Sequence, residues 1–201
     1  MKEKILKAFE ESIRVKENFI DDTIVDRIIE VSKTIANAFN EGKKLILFGN
    51  GGSSTDASHI ASEFVNKFKI DRPGLPAIAL NTDMAVITSI ANDYDFSEIF
   101  AKQLKSISDE GDIVIAISTS GNSPNVLKAM DVAKKKRLTT IALTGIKGNK
   151  FASKATYSFI VPSDNTPRIQ ETHITLGHVI CQMVEDILFE APRKKKSVGQ
   201  I

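Results

Sequence analysis

Two residues of types that move protons, His59 and Glu63, stand four apart in the stretch LILFGNGGSSTDASHIASEFVNKF, residues 45–68. On a helix that spacing makes neighbours of them. An imidazole and a carboxyl can each be tuned towards neutral pH, which suits general acid–base work on a small substrate. Just upstream, Asn50, Gly51, Gly52, Ser53 and Ser54 fill a turn between an apolar run and the helix. Glycines let a ligand approach the backbone, and the N–H groups and dipole of the following helix favour an anion. A second such turn lies in IVIAISTSGNSPN, residues 113–125, where Ser118, Thr119, Ser120, Asn122 and Ser123 crowd around Gly121. Pro124 suits a first helical position, with Ser123 as its N-cap. Hydroxyls and free helix N–H groups make a phosphate clamp there without a Lys or Arg.

Each feature has a plainer reading. A Ser/Thr/Gly turn is also simply a good turn. On a helical wheel His59 and Glu63 fall opposite the apolar face Ala57, Ile60, Ala61, Phe64, Val65 and Phe68, as a solvated pair would. Near the C-terminus, Leu176, Ile180, Met183 and Ile187 form a core stripe; Gln170 and His178 project away from it, and His173 reads as packing. Assembly of several chains could cover these polar faces and make a site of them. His59, Glu63, Gln170 and His178 could also cup a zinc ion through N and O ligands. Against that, Gln170 and His178 are separated by about 12 Å of helical rise. Neither turn matches GxGxxG or GxxxxGK[ST], which argues against a nucleotide cofactor and a Walker-type NTPase.

The elements that position these residues follow from periodicity. Residues 2–41 read as two helices, with Asp21 and Asp22 available to cap the second and Gly42 to stop it. From Lys44 onward, apolar runs at 45–48, 77–80, 113–117, 140–143 and 157–161 read as strands. Helical segments at 54–69, 83–92, 95–107, 124–136 and 148–153 separate them, and a long helix at 168–189 closes the chain. Continuous apolar runs alternating with helices predict an α/β fold, a parallel sheet covered on both faces. In such a sheet, loops at the carboxyl ends of strands form the ligand crevice, and both rich turns leave carboxyl ends.

The 201 residues suit one domain spanning the chain: N-terminal helices at 1–41, an α/β core at 44–190, and a solvated basic tail at 191–201. A net charge of +2 supplies no strong field for nucleic acid. A lone cysteine, Cys181, excludes an internal disulfide and fits a reducing compartment. No run approaches a membrane span, and the amphipathic N-terminus is unlike a signal peptide. These features predict a cytoplasmic protein without membrane or nucleic-acid partners.

Taken together, FGNGGSSTDASHIASEF, DRPGLPAIAL, IANDYDF, AISTSGNSPNVLKA, ALTG and PRIQETHITLGHVI resemble the phosphosugar isomerase (SIS) family and, within it, the phosphoheptose isomerases. The similarity covers nearly the whole chain. It implies a three-layer, doubly wound, five-stranded parallel sheet and a homotetramer with sites between subunits. It also implies conversion of sedoheptulose 7-phosphate to D-glycero-D-manno-heptose 7-phosphate, the first step towards the ADP-heptoses of bacterial surface glycans. By this resemblance Glu63 is the base and His178 its acid/base partner. Zinc, held in some members, falls on His59, Glu63, Gln170 and His178. Ser118, Thr119, Ser120 and Ser123 are the phosphate cradle. Asn50, Gly51, Gly52, Ser53, Asn92, Asp93 and Gln170 are further substrate contacts. Pro167 departs from the Asp that many isomerases carry there. The run ALNTDMAVITSIAND, residues 79–93, looks more like a non-catalytic branch that binds the bacterial replication initiator. That branch lacks the carboxylate and imidazole matched by Glu63 and His178, which favours the isomerase.

Overall fold

A computed structural model describes residues 1–189; the predicted basic tail lies outside the described residues. Five parallel strands form one sheet in the order β2-β1-β3-β4-β5. They are β1 (Leu45–Gly49), β2 (Ala77–Ala79), β3 (Ile113–Ser118), β4 (Thr139–Gly145) and β5 (Tyr157–Val161). The central strands β1 and β3 are buried along their whole length, as their unbroken apolar runs predict.

Strand periodicity divides the core in two. Leu45, Leu47, Ile113, Ile115, Ile117, Ile141 and Leu143 face one layer, with α2 (Asp22–Asn40), α3 (Gly52–Val65) and α8 (Thr166–Phe189). Ile46, Phe48, Val114, Ala116 and Ala142 face the other, with α5 (Ile99–Ile107), α6 (Pro124–Lys135) and α7 (Asn149–Ala152). The N-terminal α1 (Lys2–Phe19) lies on α8, where the Ser12 hydroxyl donates to Glu171 Oε2 at 2.6 Å. The Asp21 side chain caps α2 by accepting from Ile24 N–H, and Gly42 stops that helix at φ +71°. Asp22 is the first helical residue and not a second cap.

Three differences from the expected elements bear on the site. The helix predicted to reach residue 69 ends at Val65, because the segment beyond is drawn off by side-chain bonds from Arg72 and Glu185. The segment predicted at 95–107 begins as a 3-10 turn, Phe96–Glu98, before α5. In α8 the buried stripe runs Ile169, Leu176, Ile180, Cys181 and Val184, while Ile187 is exposed and Met183 only half-buried. Towards its C-terminal end the buried stripe is thus offset by about one residue from the expected one, and it includes the polar groups His173 and Glu185.

Strand order explains the site. From β1 the chain moves to β2 on one side, and from β3 it moves to β4 and β5 on the other. The loops after β1 and β3 therefore part at a switch point, where an open α/β sheet leaves a crevice.

Candidate active site

Both rich turns occupy that switch point. Gly51 takes φ +54° at the start of α3, and Gly121 takes φ +66° in the second loop, values that L side chains rarely adopt. A Cβ at Gly52 would collide with the side-chain amide of Gln170, so α8 sits directly over the start of α3. In the second loop, Ser118 Oγ and Ser123 Oγ lie 3.2 Å apart, and Gly121 N–H donates to Ser118 Oγ. Ser123 holds the N-cap position of α6, but its hydroxyl turns to Ser118 and makes no capping bond. Thr119 and Ser120 line a cavity of about 180 Å³ together with Lys147, Ser163, Asp164 and Thr166. The expected clamp thus has a lysine at its rim, with Lys147 Nζ 3.2 Å from Asp164 Oδ2. Ser53 is buried beneath the first loop, and Ser54 is half-buried.

The side chains expected from the sequence to move protons meet within a single chain. Helices α3 and α8 run parallel: Gly52 lies under Gln170, and Gly177, lacking a Cβ, admits Ile60. That register puts His59 level with His178. His59 Nε2 is 3.0 Å from Glu63 Oε1 and 3.4 Å from His178 Nε2. The two imidazoles meet edge to face at 4.9 Å, and Phe68 flanks His178 at 5.7 Å. One donor atom from each of His59, Glu63 and His178 falls within 4.8 Å of the others. Two imidazoles and a carboxylate are a donor set that suits zinc and leaves an open position. Gln170 stays at the loop end of α8, eight residues or about 12 Å of rise from His178.

Asp56 was not singled out from the sequence, although it shares the stripe of His59 and Glu63 at spacings of three and seven. Burial raises its carboxyl to about 6, against the opposing pull of His59, and among the described residues Oδ2 has no hydrogen-bond partner. His173 is fully buried, which pushes it down to about 4; its Nε2 lies 3.3 Å from the Thr144 carbonyl. Asn92 and Asp93 are exposed at the end of α4 (Met84–Asp93) and bond each other at 2.9 Å. Among the described residues no hydrogen bond links them to either loop or to the His–Glu–His group. A larger cavity of about 650 Å³, between α4, α5 and β2, contains none of the predicted site residues.

No helix among the described residues is long and apolar enough to cross a membrane. The SIS domain family model matches residues 8–145. A phosphoheptose isomerase from Thermodesulfovibrio yellowstonii is 64% identical over 100% of this chain and 99% of its own. One from Aquifex aeolicus is 50% identical over 94% of this chain and 99% of its own. The solved phosphoheptose isomerase of Neisseria gonorrhoeae superposes with a TM-score of 0.85 at 36% identity, covering 92% of this chain and 98% of that one. These relatives carry the isomerase name, so the reading as a non-catalytic initiator-binding protein is set aside. The chain belongs to the phosphoheptose isomerases of the SIS family.

Proposed function

We propose that this isomerase converts sedoheptulose 7-phosphate to D-glycero-D-manno-heptose 7-phosphate, with Glu63 and His178 as its proton-moving groups. The observation that carries this reading is the approach of His59, Glu63 and His178 to within 4.8 Å of one another, on two helices whose N-terminal ends meet at the first glycine-rich loop. The serines at 118, 120 and 123, with Thr119, take the phosphate. Asn50, Gly51, Gly52, Gln170 and, in the assembled enzyme, Asn92 and Asp93 contact the sugar, while Ser53, expected there by resemblance, lies buried beneath the first loop.

The chemistry is a redox-neutral shift along two carbons. Glu63 removes a proton from C1 of the ketose, leaving an enediolate, and returns a proton to C2. His178 delivers a proton to O2 and takes one from O1. One C–H and one O–H bond break and one of each forms, so no redox cofactor is needed. His59, Glu63 and His178 are the residues to hold zinc, whereas Gln170, the further ligand implied by resemblance, stands at the other end of α8 against Gly52. When bound, the metal stabilises negative charge on substrate oxygens. The product feeds ADP-heptose synthesis in the cytoplasm, and the working particle is a homotetramer. Tetramer formation is supported by the large side chains of α1 that stand exposed, Ile5, Leu6, Phe9 and Ile13.

Incubation with sedoheptulose 7-phosphate, with the product read by NMR, tests the reaction. Glu63→Gln keeps the shape and removes the base; turnover falls by 10³-fold or more, and an active variant refutes the role of Glu63.

A further inference from the structure

The connection from α3 to β2, residues 66–76, is organised by one buried ion pair. The side chains of Arg72 and Glu185 are 2% and 1% exposed, with Nε 3.0 Å from Oε1. Arg72 spends the rest of its fork on carbonyls at the end of α3. Nη2 donates to Glu63 O at 2.9 Å, and Nη1 to Phe64 O at 2.8 Å, Pro73 O at 3.0 Å and Asn66 O at 3.3 Å. Glu185 accepts from the backbone N–H groups of Lys69 at 2.7 Å and Phe68 at 3.3 Å. A helix end leaves its last carbonyls without partners and carries a partial negative charge. Here one guanidinium meets both needs, at the turn that bears Glu63. Its carboxylate partner stands on α8, two turns beyond His178.

The charges are settled in this position. Burial alone would raise the Glu185 carboxyl, but N–H donors from Lys69, Ile70 and Phe68 and the Arg72 guanidinium together hold it below its ordinary value. Between His178 and Glu185 on α8 lies Cys181, whose thiol is pushed up to about 12, by burial first and then by the Glu63 carboxylate, with Arg72 opposing. The Arg72 guanidinium thus joins the Glu63 backbone carbonyl directly to Glu185 on α8.

We propose that the Arg72–Glu185 pair is a positioning device for catalysis: it pins the turn carrying Glu63 to α8 and sets the register between Glu63 and His178. The proposal rests on the reading of those two side chains as the proton-moving pair. Stability alone gives a buried ion pair no advantage, since apolar replacements of similar volume are often neutral or stabilising. Geometry does, because small misplacements of a reacting group cost large factors in rate.

The test is the double variant Arg72→Met/Glu185→Leu, compared with the unaltered protein in circular dichroism, thermal melting, kcat and KM. The expected result is a folded protein whose kcat falls 30-fold or more while KM moves less than threefold. A kcat within threefold of the unaltered protein, or a loss carried by KM, overturns the proposal. Where the double variant fails to fold, Glu185→Gln carries the test with the same thresholds, since it keeps the shape and an acceptor for Lys69 while removing the charge. Failure of both to fold assigns the pair to stability and overturns the proposal as well. Glu63→Gln is run alongside. If it turns over substrate, the reading of Glu63 has failed; if it is inactive while the double variant keeps full kcat, only the clamp has failed.

Discussion

The side-chain amides of Asn50 and Asn125 bond each other in both directions, at 2.8 and 2.9 Å, across the switch point between β1 and β3. Asn125 is almost fully buried, and its Oδ1 also accepts from Val126 N–H at 3.0 Å. The first glycine-rich loop is therefore tied directly to the start of α6, just beyond the second. Asn50, expected from resemblance as a sugar contact, is here also one half of that tie. Asn125→Ala removes both bonds and leaves the Asn50 amide without these partners, a loss of about 1–3 kcal/mol. The expected outcome is a lower melting temperature and a KM that rises more than kcat falls. Unchanged melting and KM would mean that strand and helix backbone alone set the loops.

The clasp also marks the limit of what the sequence discloses. Strand identity was legible in β1 and β3 because a strand buried on both faces needs an unbroken apolar run. The two glycine-rich turns were legible because positive φ at Gly51 and Gly121 restricts residue choice. The meeting of His59, Glu63 and His178 in one chain was not, because it depends on the parallel packing of α3 and α8 through Gly52 and Gly177. A wheel drawn for one helix cannot know that a second polar stripe will lie against it. Arg72 likewise stands out only in the structure, since its partner stands 113 residues away.

Stability should fall on the acid side through His173. Its ordinary value is 6.5 and burial lowers it to about 4, so as pH drops the unfolded chain takes up a proton first. The contribution is intact above about 6.5 and lost progressively down to 4, about 3 kcal/mol in all. Asp56 acts with the opposite sign. Its carboxyl is raised from 3.8 to about 6, so the folded chain keeps a proton that the unfolded chain has released, and stability is withdrawn as pH climbs through that window. Being half-exposed, Asp56 is screened and has the smaller effect. Melting curves from pH 7 to pH 4.5 should flatten in His173→Gln, which keeps a donor for the Thr144 carbonyl, and steepen in Asp56→Asn. A His173→Gln curve parallel to that of the unaltered protein would show that His173 is not the titrating group.

Removal and return of metal tests the donor set. Protein stripped with a chelator should take up one zinc per chain in calorimetric titration. His59→Gln and His178→Gln should each weaken binding by a hundredfold or more, because each removes one of three donors that lie within 4.8 Å. Binding unaffected by both substitutions would place the ion elsewhere, and no binding at all would dismiss zinc.

The outer face of α1 predicts how the chain assembles. Val15 and Phe19 are its buried residues, so one side of the helix is spent on the chain's own core. Ile5, Leu6, Phe9 and Ile13 are each more than half exposed, with Phe9 at 68%. Nearby, Ile20, Ile28, Leu176 and Val179 line an apolar cavity of about 230 Å³ beside Lys16 and Phe19. Contiguous apolar surface of this kind marks an interaction site, and a second copy of the chain is the occupant that a tetramer requires. Phe9→Glu/Ile13→Glu places two carboxylates on that face without touching Val15 or Phe19. Folding should survive, while light scattering should report species smaller than the assembly that the unaltered protein forms. Turnover should fall with the tetramer if Asn92 and Asp93 reach the substrate only across an interface, whereas an unchanged mass would show that α1 faces solvent in the working enzyme.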